Sequence, residues 1–282
     1  MSTLHETLSS LMSDRDWLIL RSIDEYRYLL TRQIARLHFD LAAGAKTIPR
    51  TANLTLGRLR ELGLVRELDR RIGGVRAGSS GKVWQLTETA NRLLSWRDGE
   101  TPAQRLRAIE PGATFLEHTL AVAEVVLDLN DAAAAHDVAV SRVELEPAAW
   151  RPYLNRSGAT VRLKPDLALV TTSGGYQDAW FFEVDRATEP PGRIVRKCLQ
   201  YQDYRHTGHE QAQTGVFPAV VWVVPSLRRR DQLRGRLREE SGIDGRLFTV
   251  ITPADLGELI TLGAADFNTR IRDQDGGPDA PA

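Results

Sequence analysis

The chain has 282 residues, 42% hydrophobic and 26% charged, and its 37 Lys plus Arg balance 37 Asp plus Glu. That length suits two domains better than one, in an ordinary globular composition. The single cysteine, Cys198, excludes an intrachain disulfide and a cysteine-rich zinc site.

Apolar runs such as AVVWVV at 219–224 are too short to cross a bilayer, and the start of the chain lacks a basic-then-apolar signal pattern. The expectation is a cytoplasmic protein with no membrane association. Charge is uneven along the chain. Residues 1–97 hold 16 basic against 10 acidic residues, a net of +6, and the remainder holds 21 against 27, a net of −6. A basic module before an acidic one fits DNA binding in the first and metal chemistry in the second.

In chain order, residues 14–30 place Trp17, Leu20, Ile23 and Leu30 near one helical stripe, with Asp14 as N-cap. Thr31 caps a short second helix with Ile34 and Leu37 inward. Residues 50–65 form a third helix, with Leu56, Leu59 and Leu62 apolar, Arg50, Arg58 and Arg60 outside, and Gly63 as its stop. LVRELDRR is a strand, RIGGVRAGSSGK a glycine-rich basic tip, VWQLT a returning strand, and Thr87 caps a last helix. Three helices followed by a β-hairpin with a basic tip make a winged helix-turn-helix over 1–97. In that fold the third helix enters the major groove and the wing touches phosphates or the minor groove. Arg50, Thr51, Asn53, Thr55 and Arg58 are assigned to the groove, and Arg70, Arg71, Arg76 and Lys82 to the wing. The other reading is a winged helix used only for protein contacts.

Residues 98–111 read as a polar linker, and 112–263 as the second domain. It opens with a long helix from Thr114 to about Ala135, on which Glu117 and Glu124 share a face. Strands follow at 138–146, 164–172 and 177–185, with an insert carrying Trp150 and Tyr153 between the first two. A helix from Arg193 to about His206, a strand at 217–224, a basic helix from Leu227 to Glu239, a strand at RLFTVIT and a short helix from Ala254 complete it. Residues 264–282 are expected to be disordered.

The most informative stretch is WFFEVDR at 180–186. Side chains alternate along a strand, so Glu183 and Asp185 share one face while Phe182 and Val184 take the other. Two carboxylates in a buried strand are costly unless something offsets them. A divalent metal would do so, and so would an Arg or Lys. KPDLALV at 164–170 adds a third acid, Asp166. Pro-Asp on one strand followed by Glu-x-acid on the next is the outline of a nuclease metal site.

The order helix, three strands, helix, strand resembles the restriction-endonuclease-like fold, PD-(D/E)XK. That makes the chain mixed α/β (α+β overall). The resemblance puts Asp166 at the Pro-Asp acid, Glu183 at the second acid, and Glu117 at the helix acid that some members use. Gln200 and Tyr204 match a Q-x-x-x-Y pair of one nuclease branch. Asp185 replaces the usual lysine, whose electrostatic role Lys197 would serve from the next helix. Arg193, Lys197, Gln200 and Tyr204 are spaced to share one face of that helix.

The winged helix, the KPD strand, the E-x-D-R-x-T-E segment and the K-x-x-x-Y helix together resemble the replication-relaxation family of plasmid and mobile-element proteins. They are also similar to mobilisation relaxases with a restriction-endonuclease-like fold. The resemblance spans about residues 15–250. It implies binding to double-stranded DNA near an origin or transfer site, and nicking with Mg²⁺ or Mn²⁺. The ion would be held by Asp166, Glu183, Asp185 and Glu117, with Asp166, Glu183, Asp185, Lys197, Gln200 and Tyr204 carrying the chemistry. A homodimer is allowed. The alternatives are a non-catalytic DNA-binding regulator, in which Glu183 and Asp185 pair with Arg186, Arg193 or Lys197, and a scaffold using the second domain for protein contact.

Overall fold

A computed structural model of the chain describes residues 2–39, 41, 47–68, 81–100, 111–155 and 157–274. Arg70, Arg71 and Arg76 of the expected wing, residues 101–110 of the expected linker, and residues 275–282 lie outside the described residues. The chain divides into two units, Met1–Leu127 and Asp128–Ala282.

The first unit runs α1 (Ser2–Ser10), α2 (Asp14–Tyr26), β1 (Leu29–Leu30), α3 (Thr31–His38), α4 (Arg50–Glu61), β2 (Val65–Leu68), β3 (Val83–Leu86) and α5 (Glu88–Asp98), then enters α6 (Ala113–Ala135). The three strands form an antiparallel sheet in the order β1-β3-β2. Helices α2 to α4, then the antiparallel β2–β3 pair and α5, follow the order read from the sequence.

The apolar stripes are buried as their spacing requires. Leu20, Ile23, Ile34, Leu56 and Leu59 are essentially inaccessible. Each such side chain contributes about 1.5–3 kcal/mol on burial. Thr87 caps α5 by accepting from the Ala90 amide at 3.2 Å. Gly63 takes φ +70° just past α4, where a side chain would be strained.

The cap of α2 is Ser13 and not Asp14. Ser13 Oγ accepts from the Asp16 amide at 3.3 Å, and Asp16 accepts from the Ser13 amide at 2.7 Å, closing a capping box. Asp16 is fully buried, and Arg58 of α4 donates to it at 2.5 Å. Burial opposes the charge on Asp16, but the bonds from Arg58 and Ser13 outweigh it and hold its pKa below the usual carboxylate range. A depressed pKa stabilises the fold above the unfolded value, and that stability is lost as pH falls through the folded pKa. Arg58→Ala should therefore lower stability by about 1–3 kcal/mol at neutral pH, because it leaves a buried acceptor short of its donor. The deficit relative to wild type should shrink in acid, which thermal melts at pH 7 and pH 3 would compare.

The division between units falls within α6, where the sequence reading places it in the linker at 98–111. Leu116 and Leu120 of α6 cluster with Leu68 and Val83. Gln33 donates to the Leu120 carbonyl at 2.9 Å and to Glu124 at 3.0 Å, while Arg32 and Arg36 pair with Glu124. The helix expected to open the second domain therefore begins as part of the first unit.

The second unit continues with β4 (Ala139–Leu145), β5 (Arg151–Leu154), β6 (Thr160–Leu163), β7 (Leu167–Ser173), β8 (Tyr176–Val184), α7 (Pro191–His206), α8 (His209–Thr214), β9 (Ala219–Val223), α9 (Leu227–Glu239), β10 (Phe248–Ile251) and α10 (Leu256–Gln274). Its main sheet has the order β10-β9-β8-β7-β4. β4, β7 and β8 form an antiparallel meander, and β9 and β10 add in parallel. Helix, meander, helix, strand is the order of a restriction-endonuclease-like core, and the class is mixed α/β. The insert after β4 is a separate hairpin, β5–β6. Residues 264–274, expected to be disordered, continue α10 instead.

One face of the sheet gathers Ala168, Phe181, Val220, Trp222, Phe248 and Val250 against Ile194, Val195, Cys198 and Tyr201 of α7 and Leu233 and Leu237 of α9. Trp180 and Phe182, one residue out of phase on β8, turn to the other face. Glu183 and Asp185 are in phase with Phe181, so both belong to the helix-covered face. Among the described residues no helix is long and apolar enough to cross a membrane.

Candidate functional site

The antiparallel register Leu167↔Phe182 brings Asp166, just before β7, beside the end of β8. There its carboxylate accepts from the Val184 amide at 2.8 Å, in the place a ladder carbonyl would take. The adjacent Glu183 is 1% exposed. One of its oxygens accepts from the Tyr201 hydroxyl at 2.5 Å, and the other contacts the Lys197 ammonium. Lys197 and Tyr201 are four residues apart on α7 and so project together. Lys197 keeps 28% of its side chain in solvent, which leaves the cluster open on one side.

Burial pushes the Glu183 pKa up to about 8, with the Lys197 charge pulling it down and Asp166 adding to the rise. Burial works against the Lys197 charge, but Glu183 and Asp166 hold its pKa above the ordinary lysine range. Lys197 is thus held in its charged form by Glu183 and Asp166. Burial pushes Cys198, one residue along α7, up to about 12, so it is an inert thiol.

Asp185 has a different partner. Arg229 of α9 grips it through Nε at 2.6 Å and Nη2 at 3.3 Å, and also donates to the Glu189 carbonyl at 2.7 Å. The Ala187 amide donates to the same carboxylate at 3.0 Å. The acid that replaces the motif lysine is therefore a brace between the end of β8 and the start of α9. The sequence places Asp185 with Asp166 and Glu183 around an ion; in this structure its partner is Arg229.

Two other expected residues have partners of their own. Gln200 donates to the Arg162 carbonyl at 3.1 Å and ties α7 to β6. Tyr204 is seven residues beyond Lys197, about 10 Å along the helix, and donates to Glu210 at 2.7 Å. Glu117 lies on the part of α6 that belongs to the first unit. Among the described residues no three His, Cys, Asp or Glu gather to hold one ion. The sequence reading gives no role to Tyr201, and takes Arg229 only as part of a basic helix that could track phosphates or form a solvated face. The spacing from Lys197 points to Tyr201, but nothing local points to Arg229, which is 44 residues from Asp185.

On α4, Arg50, Thr51 and Asn53 are exposed and Thr55 is half-buried. Arg58 is engaged by Asp16, and Lys82 pairs with Glu67 at 2.8 Å. Both keep much of their side chains in solvent, 42% for Arg58 and 51% for Lys82.

Residues 20–220 match the model of the replication-relaxation family. The chain belongs to that family. The match runs from within α2 into β9 and includes Asp166, Glu183 and Lys197. No curated protein matches. Among solved structures, restriction endonuclease FokI aligns at 14% identity and a TM-score of 0.30, over 92% of this chain and 46% of that one. The chain thus spans about half the length of that enzyme.

Proposed function

We propose that this replication-relaxation protein acts in the cytoplasm on plasmid or mobile-element DNA, binding duplex at an origin or transfer site and nicking one strand with Mg²⁺ or Mn²⁺. The observation that carries the reading is Lys197 on Glu183 beside Asp166: two acids and one lysine, the minimum set for such chemistry. Arg50, Thr51 and Asn53 would read the groove, with Thr55 behind them.

The donor set fits a hard cation. Mg²⁺ is commonly held by one or two carboxylates, its remaining positions filled by water and substrate phosphate. Asp166 and Glu183 supply two carboxylates, all oxygen. A bound ion would act as Lewis acid and lower the pKa of its water. The chain's own groups do the rest. Tyr201 fixes one Glu183 oxygen and so orients the other. Lys197 places a permanent positive charge where phosphoryl oxygens gain negative charge in the transition state, and this stabilisation is largest in a partly water-excluded site. The Asp185–Arg229 brace holds the strand end that carries Glu183.

The test is nicking of supercoiled plasmid carrying the recognition site, with and without divalent metal. Glu183→Gln should abolish nicking and weaken metal binding by calorimetry while leaving duplex affinity nearly unchanged. A second reading is supported by the neutralisation of both strand acids by the chain's own cations, Lys197 and Arg229. On that reading the site is vestigial and the protein is a DNA-binding regulator. Wild type and Glu183→Gln behaving alike in nicking and in metal binding would favour it.

A further inference from the structure

Between β4 and β7 the chain leaves the main sheet, turns at Trp150, and returns along the β5–β6 hairpin to Asp166. Along β6 and the residue after it, Leu163 is buried, while Arg162 and Lys164 are exposed. Both cations lie over one aromatic ring. The Arg162 guanidinium is 5.3 Å and the Lys164 ammonium 4.5 Å from the Trp150 ring centroid. Among the described residues neither has a carboxylate partner, whereas Arg142, Arg151, Arg193, Arg205, Arg229 and Arg236 of the same unit each have one.

The patch is fastened to the candidate site from two directions. Lys164 is two residues from Asp166 in the chain. The Arg162 carbonyl accepts from Gln200, which lies one helical turn from Lys197. Two uncompensated cations, gathered on an indole and held beside two acids and a lysine, are complementary to a phosphodiester backbone. The ring already faces the protein's own cations, so its role is to gather them.

We propose that Arg162 and Lys164, assembled on Trp150, form a docking patch for the sugar-phosphate backbone of DNA presented to the Asp166–Glu183–Lys197 site. This rests on the reading of the second unit as acting on DNA. The patch contacts phosphate and reads no base, so it sets affinity and placement and leaves sequence choice to other surfaces.

The test is equilibrium binding of the full chain to a labelled duplex by fluorescence anisotropy over a salt series, with chelator present so that no cleavage occurs. In Arg162→Gln/Lys164→Gln, the slope of log affinity against log salt should become less steep by about 1.8, the loss of two phosphate contacts at about 0.9 each. That corresponds to a roughly 60-fold weaker affinity at 0.1 M salt if the two proteins bind equally at 1 M. Trp150→Phe, which keeps a π face, should bind as wild type. Trp150→Ala should fall between wild type and the double variant. Both glutamines replace exposed side chains, and an unchanged melting temperature would show the fold intact. A double variant with wild-type slope and affinity overturns the patch, even if nicking and its loss in Glu183→Gln are observed. A reduced slope in a protein that does not nick keeps the patch and overturns the cleavage reading instead.

Discussion

Lys197→Ala is expected to slow metal-dependent nicking by about 10²–10³-fold, the usual effect of removing one preorganised stabiliser of transition-state charge. Duplex affinity should change little, because the residues proposed to read the groove belong to another unit. The size of the effect follows from what Lys197 touches. Its ammonium contacts Glu183, and Glu183 and Asp166 together keep it charged against the effect of burial. Removing it also alters Glu183. Burial already lifts that pKa to about 8, and losing the opposing charge lifts it further.

A carboxyl whose folded pKa is raised stabilises the fold while protonated, and that contribution is lost as pH rises from the unfolded value through the folded one. Lys197→Ala should therefore melt close to wild type near pH 5 and lose more stability than wild type as pH rises past 8. Metal binding should weaken as well, since the ion needs the carboxylate form. Lys197→Arg keeps the charge and should recover part of the rate. A Lys197→Ala protein that nicks at the wild-type rate would exclude Lys197 from the reaction and leave Glu183 and Asp166 to act without it.

Arg229→Ala is expected to be the most destabilising single substitution considered. It leaves the Asp185 carboxylate, 3% exposed, with only backbone donors for a full charge. Breaking a buried pair by removing one partner costs about 3–5 kcal/mol. For a unit of this size that is a fall of roughly 6–20 °C in melting temperature. The double replacement Asp185→Leu/Arg229→Met should recover most of the loss, because apolar groups of similar volume avoid the desolvation of both charges. Calorimetric melts of wild type, the single variant and the double variant decide the matter. A single variant that melts with wild type would mean that water reaches Asp185 freely and that the brace contributes little.

Much of this protein follows from its sequence alone. Period-two alternation in WFFEVDR puts Glu183 and Asp185 on one face, and the folded chain keeps them there. Apolar spacing marks the helices of both units, and Thr87 and Gly63 mark helix ends, because caps and stripes depend on residues within one or two turns. The four-residue step from Lys197 to Tyr201 is equally local, although which acid that pair would meet is not. Tertiary structure decided the partners. Whether a buried carboxylate is answered by a metal or by a side chain depends on which distant cation the packing delivers. For Asp185 that is Arg229, 44 residues away; for Asp16 it is Arg58, 42 residues away. The first turns of α6 pack with the first unit, through Leu116, Leu120 and the bonds of Gln33 to Leu120 and Glu124, a division no local pattern marks. Propensity and periodicity act over a few residues and fix the elements, whereas neutralising a buried charge requires two segments to meet, and that meeting exists only once the chain has folded.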